Sequence, residues 1–357
     1  MTAGRALSRT RPALVVLVAL VALSAAMAAM LLVGGYSPRA AAIALWSGSL
    51  GSWYSLTSAT LVRAVPLMLT GCAVAVAFRG GVFNVGAEGQ LLVGAAAATA
   101  VALSMPGGGS TAIVVALVAG SIAGCAWAAI AAVLRARFGV LEVISTIMLN
   151  FVALHGVSYL VRGPLQEPTR IYPQSSSIEN AIQLPRLPGA GRLHAGLVIA
   201  LTLLAVGGWA FRFTARGFRL RIVGESPSAA ASAGLIDVRS TTMKAFLVSG
   251  ALAGLAGAVE VLGVTYALYE NISPGYGYTA IAVALIANLD PWRIIASASL
   301  FAALEAGASA MQRDANIPSS FVSIIEALLI LAAIAAPTLR RRSQSAVPLA
   351  DDAAVAE

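Results

Sequence analysis

Charged side chains are scarce in this chain. Only 11% of its 357 residues are Asp, Glu, Lys or Arg, whereas a soluble domain has about 25%. So few charges cannot cover a water-exposed surface, which argues against a soluble enzyme, a disordered protein and a coiled coil. Hydrophobic residues make up 59% of the chain, and its mean hydropathy is +0.86. At about 20 residues per span, the length allows several membrane crossings.

The residue types that bind phosphate or metal and carry out covalent catalysis are also nearly absent. A P-loop needs a lysine directly followed by Ser or Thr. Lys244 is the sole lysine and is followed by Ala245, so the chain has no P-loop for ATP. The two histidines, His155 and His194, are too few for a metal centre or a hydrolytic triad. Cys72 and Cys125 lie in apolar runs without metal-ligand spacing. We therefore predict a protein that is not an enzyme, with no catalytic residue, bound metal or cofactor.

The apolar runs that are present predict an all-α polytopic membrane protein. About ten transmembrane helices are expected, at 13–34, 57–78, 82–103, 111–134, 140–161, 195–213, 243–263, 276–290, 292–311 and 318–338. With the N-terminus in the cytoplasm, most basic residues fall on the cytoplasmic side, as the positive-inside rule requires. An even number of spans puts both termini there. Because the basic residues are spread singly, the net charge of +8 indicates topology and membrane lipid rather than a nucleic-acid partner.

Two polar stretches separate the spans. Residues 162–194 contain several prolines and are expected outside the cytoplasm, whereas 214–242 form the largest cytoplasmic loop. The tail at 339–357 is predicted to be a disordered cytoplasmic segment. Span 2 runs from outside to inside and span 7 from inside to outside, so we expect two inverted five-helix halves.

Glycine-rich stretches lie where the chain enters a span at two matching positions of these halves, at the start of 82–103 and at Pro274–Gly277 before the span at 276–290. Interrupted helices at matching positions indicate a pathway near the membrane midplane. In the first entry, Asn84, Glu88 and Gln90 either line such a path or satisfy backbone groups freed in a structural turn.

Two further polar positions are candidates for the pathway. Glu142 enters a span just after Arg135 and Arg137, so it either pairs with one of these arginines or faces a cavity. Asn150, two turns further, is either a pathway residue or a hydrogen-bonding contact between helices. Asn288 is added because it flanks the inner end of the irregular span at 276–290.

The cytoplasmic loop predicts a short helix of small residues. Ser226 suits the N-cap, Pro227 the first helical position and Gly234 the C-terminal end. Small residues permit close docking into a groove of another protein, whereas a helix lying on lipid would carry bulky apolar residues. The candidate coupling residues are Gly224, Glu225, Ser226, Pro227, Ala229, Ala230 and Gly234.

These segments resemble the permease subunits of bacterial ABC importers, specifically the nucleoside-type group within the ribose and branched-chain amino-acid permease superfamily. The resemblance runs from about residue 50 to 338 and rests on Phe83–Gln90, Glu142–Asn150, Gly163–Pro164, Arg221–Pro227, Ser249–Gly257 and Gly275–Leu285. It implies a transmembrane permease domain over 1–338 in the bacterial cytoplasmic membrane.

The resemblance also implies the partners and the mechanism. A partner ATPase would bind ATP, a second homologous permease would complete a heterodimer, and a substrate-binding lipoprotein would deliver a nucleoside. Transport would proceed by alternating access. The alternatives are an ABC permease for a simple sugar or a branched-chain amino acid, and an ion-coupled secondary transporter acting through Glu88 or Glu142. The docking helix at 226–234 argues against the last.

Overall fold

The computed structural model describes residues 21–22, 24–232, 234, 236–318, 320–321, 324, 327–328 and 331. Its helices are α1 (Ser24–Val33), α2 (Pro38–Ser49), α3 (Trp53–Arg79), α4 (Ala87–Ser104), α5 (Gly109–Phe138), α6 (Glu142–Arg162), α7 (Gly196–Phe213), α8 (Ala215–Glu225), α9 (Pro227–Ser232), α10 (Val238–Thr265), α11 (Tyr276–Ile286) and α12 (Pro291–Asp314). Beyond helices, the described residues contain isolated β-bridges and no strand.

Seven of these helices are long and apolar enough to cross a membrane: α3, α4, α5, α6, α7, α10 and α12. The pair α1 and α2 passes the same test together but is bent by 118°, so the described residues offer up to eight spans. The chain is therefore an all-helical, multi-pass membrane protein. The expected count of ten, the inverted halves and the cytoplasmic termini stay predictions, and most of 318–338 and all of 339–357 lie outside the described residues.

Two of the apolar elements differ from the sequence expectation. The run at 276–290 forms only the 11-residue helix α11. At 1.5 Å per residue, this helix covers about half of a 30 Å hydrocarbon core. The second difference is α2, a 12-residue helix in a stretch where no span was expected. Its length is too short for a span, and Gly34, Gly35 and Pro38 beside its start are typical of a loop.

The described chain divides into two compact units. The first combines the described residues before 49 with those after 306, and its apolar core includes Leu31, Met311 and Ile317. The second, 49–306, contains six of the seven long helices, most of α12 and all the sites described below.

In the second unit, α10 packs against α3, α4 and α5. Its contact with α4 and α5 is made by glycines. A Cβ added to Gly94 would lie 2.4 Å from the Cα of Gly254, and one added to Gly124 would lie 2.6 Å from the same atom. The three helices therefore touch backbone to backbone, the close approach that small residues permit inside membranes.

A π-helical turn interrupts two of the long helices, Leu56–Thr60 in α3 and Val261–Thr265 at the end of α10. Such turns are rare in proteins, and those that occur often lie at functional sites. The 162–194 segment contacts both. The backbone N–H of Arg192 donates to Ser58 Oγ at 3.1 Å, and that of Leu184 donates to the Leu262 carbonyl at 2.8 Å.

His194 ends this segment and is fully buried. Its Nδ1 accepts a hydrogen bond from the backbone N–H of Gly196 at 3.1 Å. Burial, together with the charge of Arg192, lowers the pKa of His194 from 6.5 to about 4. The imidazole is therefore neutral at physiological pH, as its close packing against Gly263 requires.

Candidate functional site

The N-termini of α4 and α11 meet inside the second unit. Gly277 in the first turn of α11 donates its backbone N–H to Glu88 Oε2 at 2.7 Å. A Cβ on Gly277 would lie 2.2 Å from the backbone nitrogen of Glu88, so only glycine allows this approach. The Ser273 hydroxyl also hydrogen-bonds the Glu88 carboxylate. A carboxylate at a helix N-terminus satisfies free N–H groups and opposes the positive end of the helix dipole.

The segment that leads into α4 is held by a buried amide pair. Asn84 Nδ2 donates to Gln90 Oε1 at 3.0 Å and to Ser249 Oγ at 2.9 Å. Asn84 Oδ1 accepts from the backbone N–H of Gly86 at 2.9 Å and from Gln90 Nε2 at 3.1 Å. These bonds join the break to α10 and replace the backbone hydrogen bonds that a continuous helix would make.

Asn150 of α6 braces the same break from the other side. Its Oδ1 accepts from the backbone N–H of Gly89 at 2.8 Å, and its Nδ2 donates to the Val85 carbonyl at 3.0 Å. The same Nδ2 lies 3.3 Å from the hydroxyl of Tyr278. One side chain thus connects α6, the break and α11.

Four predicted pathway residues, Asn84, Glu88, Gln90 and Asn150, are therefore brought together at one junction. Each is buried, between 0% and 7% exposed. The hydrogen bonds of Asn84 and Gln90 favour a role in satisfying the freed backbone, and those of Asn150 favour a contact between helices. Tyr278, which is 45% exposed, is the aromatic group that the junction leaves open.

Of the other two predicted pathway residues, Glu142 borders the break, where its Oε1 accepts from the backbone N–H of Phe83 at 3.5 Å, and Asn288 makes none of the junction hydrogen bonds described above. Glu142 forms an ion pair with Arg135, with 3.3 Å between Oε1 and Nη1, so the arginine-pairing alternative describes its position. Asn288 is exposed and follows α11 in the left-handed conformation, with φ 51°. Asn tolerates that conformation better than other non-glycine residues and ends helices there. Pathway roles for both stay predictions.

The polar segment at 214–242 contains the expected short helix, α9. Ser226 Oγ accepts from the backbone N–H of Ala229 at 3.3 Å, and Gly234 has φ +67° after the helix. Ala229 is exposed, whereas Ala230 is fully buried against the chain itself. Ala229 rather than Ala230 therefore belongs to the face open to a partner.

A second helix, α8, precedes α9 and was not expected from the sequence. Thr214 begins it, with Oγ1 accepting from the backbone N–H of Gly217 at 3.1 Å. At its other end, a Cβ on Gly224 would lie 2.1 Å from the carbonyl oxygen of Arg79 and 3.2 Å from the nitrogen of Gly81. The α8–α9 segment therefore touches the backbone that leads directly into the break at Asn84.

A family model described as "branched-chain amino acid transport system / permease component" matches residues 56–334. The chain belongs to this permease family. It is 37% identical over 329 residues to the guanosine ABC transporter permease protein NupP of Bacillus subtilis, covering 91% of this chain and 94% of that protein.

Two further relatives of the permease differ in their stated cargo. The glucose ABC transporter permease protein TsgB13 of Haloferax volcanii is 37% identical over 303 residues, covering 82% of this chain and 79% of its own. The nucleoside ABC transporter permease protein NupB of Lactococcus lactis is 32% identical over 334 residues, covering 90% and 91%. Bacillus subtilis also has a guanosine permease protein NupQ, 27% identical to this chain over 262 residues.

Sequence reasoning had not assigned a role to several residues of the permease's junction. Ser249, Ser273, Gly277 and Tyr278 each hydrogen-bond a predicted residue there. Their signal in the sequence is weak, because single Ser, Gly and Tyr residues are common in apolar helices. The pairing of the two Gly-rich entries was the one clue that these segments meet.

Proposed function

We propose that this permease is the transmembrane subunit of an ABC importer that moves nucleosides into a bacterial cell. The identity to guanosine and nucleoside permeases over nine-tenths of the chain supports this cargo. The chain lacks a P-loop, so ATP is bound and hydrolysed by a partner ATPase. The cargo is delivered by a substrate-binding lipoprotein on the outer side of the membrane.

The junction of α4 and α11 is the observation that carries the proposal. A nucleoside is neutral and needs hydrogen-bonding groups beside an aromatic surface. Tyr278 supplies an exposed ring, and its hydroxyl is oriented by Asn150. Glu88 is already engaged by Gly277 and Ser273, so the junction presents no free charge that would select an ion. This also argues against an ion-coupled transporter acting through Glu88.

The helix α4, which follows the break at Asn84, and the short helix α11 correspond to each other in an inverted repeat. In this arrangement the permease comprises 1–338 and both termini are cytoplasmic, with a cytoplasmic tail at 339–357. The loop at 162–194 is extracytoplasmic, and the coupling loop at 214–242 is cytoplasmic. A second homologous permease completes the membrane dimer, a role suggested by NupP and NupQ of one bacterium.

ATP-driven closure of the partner ATPases moves the coupling residues, including Glu225, Pro227 and the exposed Ala229. The contact of Gly224 with the backbone of Arg79 and Gly81 passes this movement to the break at Asn84. The helices then rearrange about the junction in an alternating-access cycle. A sugar is the alternative cargo, favoured by the identity to the Haloferax glucose permease.

Reconstituted importer tests the cargo. Liposomes containing the permease pair, ATPase and binding protein should take up labelled guanosine when ATP is supplied, and unlabelled glucose or leucine should not compete. The matched control is an ATPase whose P-loop lysine is replaced, which should abolish uptake. Glucose uptake without guanosine uptake would transfer the assignment to a sugar, and guanosine uptake that follows a proton gradient without ATP would refute the ABC mechanism.

A further inference from the structure

A basic cavity lies where α3 and α7 end and α12 begins. Its volume is about 220 Å³, and Arg79, Arg212 and Arg221 line it together with Asp290. Arg79 is the last residue of α3, and Arg212 lies in the last turn of α7. Arg221 belongs to α8, and Asp290 directly precedes α12. Four segments that are distant in sequence therefore meet at one space, at the same end of three long helices.

The charges around this cavity are unbalanced. Asp290 Oδ2 accepts a hydrogen bond from Arg212 Nη2 at 3.3 Å. The guanidinium of Arg79 lies 4.7 Å from the centre of the Phe211 ring, which orients it. Among the described residues, Arg79 and Arg221 have no ion-pair partner. Because arginine stays protonated in proteins, the three guanidinium groups and one carboxylate give the lining a net charge of +2.

A phosphate group suits these donors. Guanidinium groups form paired hydrogen bonds to phosphate oxygens, and several of them together recognise a phosphate through charge and geometry. At about 220 Å³, the cavity is smaller than the about 300–1,000 Å³ of pockets for whole small-molecule ligands. It therefore suits a single anionic group with the remainder of its molecule outside.

Aromatic side chains beside the cavity indicate where that remainder lies. Trp209 of α7 is 58% exposed, and Trp292, next to the lining Pro291, is 46% exposed. The Trp292 indole packs closely on Gly208, where an added Cβ would lie 2.4 Å from Nε1. Tryptophan is enriched at the level of the lipid headgroups in membranes. The rest of α7 presents exposed apolar side chains, so the cavity opens where lipid meets the bundle.

We propose that this cavity binds the phosphate of an anionic phospholipid, with Arg79, Arg212 and Arg221 as the donors and the acyl chains lying along α7. Basic pockets between membrane helices at the cytoplasmic face bind such headgroups. This assignment rests on the proposed orientation of the permease, not on its cargo, so a sugar permease of the same orientation would keep the site. The phosphate would join α3 to α8 beside the contact of Arg79 with Gly224.

The test measures phospholipid binding to the full-length permease in neutral detergent, by mass spectrometry of the intact protein during titration. Phosphatidylglycerol should bind more tightly than phosphatidylcholine, whose headgroup has no net charge. Arg221→Gln should weaken phosphatidylglycerol binding about fivefold, the factor that one arginine near an anionic lipid contributes. The matched control is Arg219→Gln, which should keep the wild-type affinity because Arg219 is exposed on the same helix but does not line the cavity.

Four results would overturn the proposal. Equal losses in the two glutamine variants would indicate a general attraction to basic residues, and unchanged binding by Arg221→Gln would exclude that arginine as a donor. Inorganic phosphate that binds with the same dependence on Arg221, while phosphatidylglycerol has no advantage over phosphatidylcholine, would indicate a site for a free anion. Loss of phosphatidylglycerol on addition of the partner ATPase would indicate that a protein surface covers the cavity.

A second variant keeps the test decisive if Arg221→Gln does not fold. Arg221→Lys retains the charge but cannot form paired hydrogen bonds to a phosphate, so it should bind phosphatidylglycerol more weakly than the wild type. Equal affinity of this variant and the wild type would again overturn the assignment. The proposed function is tested separately, because lipid binding is measured without nucleoside or ATP.

Discussion

Replacing Gly224 by alanine should separate ATP hydrolysis from transport. The added Cβ would lie 2.1 Å from the carbonyl oxygen of Arg79, whereas ordinary contacts begin at 3.4 Å. The α8–α9 segment and the backbone at Arg79 must therefore move apart by about 1.3 Å, and overpacking of this kind costs about 1–3 kcal/mol. If that cost falls on the state in which the α8–α9 segment contacts the backbone at Arg79, uptake should drop by about 5- to 150-fold.

The assay is guanosine uptake and ATP hydrolysis measured on the same proteoliposomes. Gly224→Ala should retain assembly with the ATPase and some ATP hydrolysis but lose transport per ATP. The matched control is Gly156→Ala, because a Cβ at that helical glycine meets nothing within 4 Å. Equal transport by the two variants would refute the reasoning that force passes through the contact between Gly224 and Arg79.

Two more predictions concern single side chains. Ala229→Arg places a bulky charge on the exposed face of α9 and should prevent co-purification of the ATPase while the permease still reaches the membrane; intact co-purification would contradict the docking assignment. The low pKa of His194, about 4 against 6.5, means that the unfolded chain gains a proton first, so stability should fall as pH drops from 6.5 to 4. In detergent, His194→Gln should flatten the fall of the melting temperature between pH 6.5 and pH 4. The control variant His155→Gln, at an exposed histidine, should keep the wild-type profile. Identical profiles for all three proteins would contradict the assignment of His194 as buried and neutral.

Composition and apolar runs sufficed to predict the helical membrane architecture, because hydrophobic length determines what can cross a bilayer. The same runs did not reveal α2 or the shortness of α11. Both depend on where the chain turns, and Gly and Pro residues signal a turn without showing whether a helix resumes beyond it. The helix at Ala215–Glu225 was missed because its charged residues are typical of a solvated loop.

The candidate site was predicted in part. Asn84, Glu88, Gln90 and Asn150 were found from the cost of polar groups in an apolar run, and they do meet. Their hydrogen-bond partners could not be deduced, since they lie on helices distant in sequence.

The shortness of α11 has a consequence for how the chain enters its membrane. A segment of 11 residues, about 16 Å long, leaves backbone groups at its N-terminus within the apolar layer. Those N–H groups are satisfied by Glu88 and Ser273, so the segment is stable in the bilayer only after α4 is in place. Synthesis runs from α4 to α11, so the acceptor is made before the donor needs it. Membrane insertion of α11 is thus a templated step, completed by docking on a helix synthesised earlier rather than by partitioning on its own.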